Sequence, residues 1–145
     1  MPDFKDLLTQ QVDDAKPPVP LPSGTYQFVI LRHEITKRGE KNTDCVIFTC
    51  RPLAALTDVD EDLLSQVEGW KEKEMGLTFW LTADSIFMLG DFLKDALRLS
   101  TAGRSFMETI PESTNQVFLG HVKHGSSKKN PDRVFSNIDT WAAVE

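Results

Sequence analysis

The sequence predicts a mainly β domain with α: a five-stranded Greek-key barrel with a helix between strands 3 and 4 and an acidic insert between strands 2 and 3. Three observations predict it. Five segments rich in β-branched and aromatic residues recur along the chain. A single stretch with helical apolar spacing falls between the third and the fourth. Clusters of Gly, Pro, Asn and Ser punctuate the rest. The 145 residues suit one domain with a proper core, and 40% hydrophobic with 26% charged residues is too apolar for a disordered chain. No apolar run approaches the ~20 residues of a membrane span. The opening Met-Pro-Asp-Phe-Lys-Asp lacks the layout of a signal peptide, so a cytoplasmic location and no membrane partner are expected.

Residues 1–22 read as a tail and linker leading into a domain at 23–145. Phe4, Leu7 and Leu8 suit one amphipathic helical turn, and Pro17, Pro18, Pro20 and Pro22 favour an extended linker. Ser23-Gly24 breaks the linker, and strand one follows at Thr25–Ile35, apolar on both faces in its first half. Lys37 to Asn42 is a basic turn containing Gly39, and strand two runs from Asp44 to Arg51, where Pro52 is expected to end it. The insert at 58–74 holds seven acids against Lys71 and Lys73, and Leu63, Leu64 and Val67 suit a short surface helix. Strand three, Leu77–Thr82, alternates strictly, with Leu77, Phe79 and Leu81 on one face and Thr78, Trp80 and Thr82 on the other.

A helix is predicted from about Ala83 to Ser100, with Thr82 as N-cap and Gly103 just past its end. Ser105-Phe106-Met107-Glu108 is a capping-box pattern for one more helical turn, stopped at Pro111. A last hairpin pairs Gln116–His124 with Arg133–Trp141. Three strands, a helix and two strands form the element order of an OB-fold. A two-layer α+β sandwich with the same elements is the main alternative.

Catalytic constellations are missing from the pattern. His121 and His124 are three apart in a strand and face opposite ways, His33 stands elsewhere, and no phosphate-loop or zinc spacing occurs. No enzymatic activity, cofactor or metal is therefore expected. Cys45 and Cys50 lie in one strand with opposite parity and read as buried, reduced thiols.

The charge pattern points to binding. The net charge of −6 argues against a polyanion partner, but its distribution does not. Asp3, Asp6, Asp13 and Asp14 in the tail, with the insert, hold half of the acids, whereas both hairpin turns are basic. Lys37, Arg38 and Lys41 crowd the first; Lys123, Lys128, Lys129 and Arg133 crowd the last. In an OB-fold these loops flank the oligonucleotide groove, and topology is expected to bring them to one side. Single strands also need aromatic platforms, and period-two bookkeeping turns Trp80 and Phe135 outward, with Arg51 and Arg133 as phosphate partners or guanidinium stackers. Arg32, on strand one, completes the candidate set. Tyr26, Phe28 and Phe118 are assigned to the core.

The stretch Leu21-Pro22-Ser23-Gly24-Thr25-Tyr26, the long strand ending in Lys-Arg-Gly, the Phe79-Trp80-Leu81-Thr82 strand before a helix, and Gly103-Arg104-Ser105-Phe106 resemble a family of bacteriophage proteins. These are OB-fold single-stranded DNA-binding proteins found with replication and recombination genes. The resemblance covers most of the chain from residue 21 onward. It implies largely sequence-independent DNA binding in the host cytoplasm, with replication or recombination proteins as further partners. One departure is the C-terminus: Asp139-Thr140-Trp141-Ala142-Ala143-Val144-Glu145 is too short and too weakly acidic for the family's partner-recruiting tail, and the acidic insert is a substitute candidate. A homodimer is compatible with the open edges of so short a barrel. From another class, the rivals are a protein-interaction module whose acidic surface engages a host protein, and a structural virion protein.

Overall fold

Alternation in the first long strand organises the molecule. In the computed structural model, which describes residues 8, 19–126 and 134–144, Tyr26, Phe28 and Ile30 are fully buried while the residues between them are not. The expected tail turn around Phe4 and Leu7 lies outside the described residues. Leu21, assigned to the linker by its proline neighbours, is in the core, and its carbonyl accepts hydrogen bonds from His124 Nε2 (2.6 Å) and Ser136 Oγ (3.0 Å).

Among the described residues five strands form one antiparallel sheet: β1 (Gly24–Arg38), β2 (Thr43–Ala55), β3 (Met75–Trp80), β4 (Val117–Ser126) and β5 (Val134–Ala142). Their order across the sheet is β3-β2-β1-β4-β5. β1 is longer than its apolar segment because its polar second half, from Arg32 to Arg38, pairs with β2 over Thr43–Thr49. Pro52 does not end β2. It sits opposite Phe28 beside a register shift between Gln27 and Phe28, and an irregularity is where a strand tolerates a residue without an N–H.

The helical region departs most from expectation. No single helix spans 83–100. A turn at 82–85 leads into α2 (Ile86–Asp91), which continues as a π-helical turn at Phe92–Ala96; the insert carries α1 (Glu61–Ser65). Thr82 is not the N-cap; Ser85 holds that place without a side-chain bond. Gly103 is not the C-terminal stop either: Arg98, at φ 54°, takes the left-handed position, and Leu99 N bonds back to Leu93 O. Phe92, Leu93, Ala96 and Leu97 all lie in the core. The serine half of the capping box forms, with Ser105 Oγ accepting from Glu108 N at 3.2 Å at the start of α3 (Phe106–Thr109), while the Glu108 carboxylate lies 3.8 Å from Arg104 Nε. The α-helix ends at Thr109, just ahead of Pro111 as expected, and the chain goes on as the 3₁₀ segment Ile110–Ser113, in whose first turn the missing N–H of Pro111 costs nothing.

Phe92 is the hub of the core. Its ring lies 5.4 Å from Phe48, 5.0 Å from Phe79, 5.1 Å from Phe118 and 5.6 Å from Trp141. Phe79 on β3 and Trp141 on β5 are themselves 5.2 Å apart, so the two edge strands of the sheet share one core. Trp141 reaches it because a register shift in the β4–β5 pairing lets Ile138 and Trp141 both turn inward. Both cysteines are buried and free, and burial pushes the Cys50 thiol up to about 12, so it stays protonated. Among the described residues no helix is long and apolar enough to cross a membrane.

Candidate nucleic-acid interface

Register and parity together define one outward face on β1, β2 and β3. Thr36, Cys45 and Trp80 lie opposite one another across the three strands; so do Glu34, Ile47 and Thr78, and then Arg32, Thr49 and Gly76. Arg38 opposes Thr43 one row beyond Trp80, and Arg51 follows Thr49 by two. Side chains two apart share a face, so Arg38, Trp80, Arg32 and Arg51 all stand on this side, with Phe48, Phe79 and the rest of the core on the other. Four of the residues nominated from sequence are thereby brought together.

The β1–β2 turn folds over the end of this face. Arg38, Gly39, Glu40, Lys41 and Thr43 meet Trp80, Thr82 and Ser85 around an open cleft of about 420 Å³. Trp80 remains 40% exposed, and a Cβ built on Gly39, at φ 82°, would stand 4.0 Å from its ring. The left-handed glycine lets the turn lie against the indole. Among the described residues neither Arg38 nor Lys41 forms an ion pair. Lys37 is different. It alternates to the opposite side, with Ile35, and pairs with Asp44 at 3.2 Å.

Farther along the same face the cations are engaged. Arg32 Nη1 and Nη2 donate to the two oxygens of Glu74, each at 3.1 Å, and Arg51 Nη1 donates to the carbonyl of Lys71 at 3.3 Å. Both acceptors belong to the insert. The insert is bolted to the sheet at its other end, where Asp58 accepts from Thr25 N at 2.9 Å and from Thr25 Oγ1 at 2.8 Å. His121 Nδ1 stands 3.2 Å from Thr25 Oγ1 and 3.8 Å from Asp58. The Thr25 backbone N–H, aided by its hydroxyl and by His121, holds the Asp58 carboxyl below its ordinary value. Val59 then packs on Gly24, where a Cβ would come within 2.5 Å of Val59 Cγ2. The short surface helix is α1, with Leu64 buried and Leu63 exposed, and Val67 is buried just past its end.

The described strand ends lead into the two basic turns from opposite ends of β1. β4 pairs Val122 with Gly24 and runs on to Ser126, so the β4–β5 connection starts beyond the Gly24 end of β1, while the β1–β2 turn lies beyond the Arg38 end. Antiparallel polarity dictates these starting points; the second turn itself, on which the expectation of one shared side depends, lies outside the described residues. Lys123, on β4, pairs with Asp139 at 3.2 Å. Lys128, Lys129 and Arg133 lie outside the described residues; Phe135 is placed on β5 opposite Gly125, and its side chain is likewise outside them.

Sequence reasoning missed Thr82 and Ser85 as cleft residues because Thr82 was read as a helix cap and Ser85 fell inside the helix predicted from Ala83. It also missed Glu74 as a partner of Arg32, since only the cross-strand register reveals that pairing. No protein-family model and no curated protein matches this chain.

Proposed function

We propose that the protein binds single-stranded DNA without strong sequence preference, along the outward face of β1–β2–β3. The observation that carries this reading is the alignment of Trp80 with Arg38 and Lys41 around an open cleft, on the same face as Arg32 and Arg51. An exposed indole supplies a π-surface that any base can stack on, and the flanking cations suit the phosphates. The strand order is that of an OB-fold whose β3 and β5 edges close into a barrel, and the Phe79–Trp141 contact supports that closure. Lys123, Lys128, Lys129, Arg133 and Phe135 would extend the path at the β4–β5 end. The resemblance to phage single-stranded DNA-binding proteins fits coating of strands during replication or recombination, without catalysis and with replication or recombination proteins as further partners.

The test is an anisotropy titration of labelled oligo-dT at two salt concentrations, with duplex competitor. Binding that weakens steeply with salt and resists duplex is expected; no binding at low salt, or equal preference for duplex, would sink the reading. The exposed acids Glu61, Asp62, Glu68 and Glu72 favour a second reading, an acidic surface that engages a host protein. It predicts that neutralising Glu72 and Glu74 abolishes function while the turn cations do not matter.

A further inference from the structure

The outward face already holds an anion. Glu74, the last residue before β3, meets Arg32 through two parallel bonds between planar groups, which is also how a guanidinium takes a phosphate. Arg32 lies four residues from Thr36, which opposes Cys45 in the row of Trp80, so roughly 13 Å of strand separates this ion pair from the indole. Both partners are more than half or nearly half exposed, so little besides each other holds them and the pair opens at small cost. The insert is fixed independently at Asp58 and Val59, so losing the Glu74 contact does not release it.

We propose that Glu74 stands in the free protein where a backbone phosphate stands in the complex, and that DNA binds by exchanging this carboxylate for a phosphate on Arg32. The inference rests on the nucleic-acid reading and adds an internal competitor to it. The insert then acts as a built-in brake: its acids repel phosphates, and its last residue keeps Arg32 occupied until a strand spans the distance from Trp80. Short oligonucleotides that reach only the cleft leave the pair intact; longer ones open it.

Anisotropy titrations of a labelled oligo-dT with the full chain test this, using wild type, Glu74→Gln, Arg32→Ala, the double variant and Trp80→Ala. Thermal melts confirm that each is folded, and Arg32→Gln replaces Arg32→Ala if the latter folds poorly. Exchange predicts that Glu74→Gln tightens binding roughly two- to fivefold. It predicts that Arg32→Ala weakens binding, and that Glu74→Gln has no further effect once Arg32 is gone. An equal tightening in the Arg32→Ala background reflects only the loss of a negative charge and overturns the proposal. An unchanged dissociation constant for Glu74→Gln, with Trp80→Ala still weakened, overturns the exchange alone. No binding by any of the five proteins removes the nucleic-acid reading, and the exchange falls with it.

Discussion

At its Gly24 end β1 is paired on both sides, by β2 and β4, and its inward residues are fully buried. At its Arg38 end, among the described residues, it is paired by β2 alone, and even Ile35, which shares a side with the core, is 59% exposed. The insert closes over the first end through Asp58 and Val59 and reaches Arg32 and Arg51 with Glu74 and Lys71. The second end carries only a glycine turn resting on Trp80. One strand thus supplies a satisfied half and an open half, where Lys37 pairs with Asp44 but Arg38 forms no ion pair among the described residues. The lesson is that a cation's position on the face matters less than what else has been folded against it.

The largest expected effect comes from breaking the closed end. Gly24→Ala adds a methyl 2.5 Å from Val59 Cγ2 and 3.1 Å from its Cα, at a residue held at φ 142°. Neither the strand nor the insert backbone can yield cheaply, so a loss of about 2–4 kcal/mol in chemical denaturation is expected. A variant as stable as wild type would show that the insert is not seated on β1 as described. Trp80→Ala attacks the open end instead. The half-exposed indole contributes little to the core, so stability should change little while oligo-dT affinity falls by about 1–3 kcal/mol. The opposite result, a lost fold with unchanged binding, would exchange the roles assigned to the two ends.

Much of this contrast was legible in the sequence. Strict alternation in Leu77–Trp80 turned Trp80 outward, which is where it stands in the sheet. Tyr26, Phe28 and Phe118 are in the core as expected. Local pattern failed where a distant partner decides. Pro52 looks like a stop until Phe28 supplies an irregular register, and Gly103 looks like a helix cap until π-winding brings Arg98 to that place first. Adjacent cations in the basic turn look alike in composition, yet pairing with β2 sends Lys37 to Asp44 and Arg38 to the cleft. Cys45 is buried although it faces outward, because it lies between Thr36 and Trp80, which no count along one strand reveals.

That last pair of cations gives a finer test of the open end. Arg38→Ala should lower the slope of log affinity against log salt by about 0.7, the value of one phosphate contact on a single strand. Lys37→Ala, one residue away on the other side, should leave the slope unchanged. Equal effects would mean that the turn acts as a diffuse positive cloud and that strand parity does not define the site.

The smallest expected effect sharpens the closed end. Asp58 is held below the ordinary aspartate value of 3.8, chiefly by the Thr25 backbone N–H. A depressed folded-state pKa means that the latch contributes above the unfolded value and is lost as pH falls through the folded one. Asp58→Asn keeps the shape and removes the charge, so wild type should melt higher at pH 6, and the gap should narrow below roughly pH 4 as the carboxylate takes up its proton. Because the carboxylate is partly exposed, solvent screens it and the gap is expected to be small. Melting curves across this range, with oligo-dT binding measured at pH 6, separate the two ends of β1: a modest change in melting with little change in the Trp80 cleft confirms that they are built independently. A gap that stays constant with pH would assign the latch to the shape of the side chain instead of its charge.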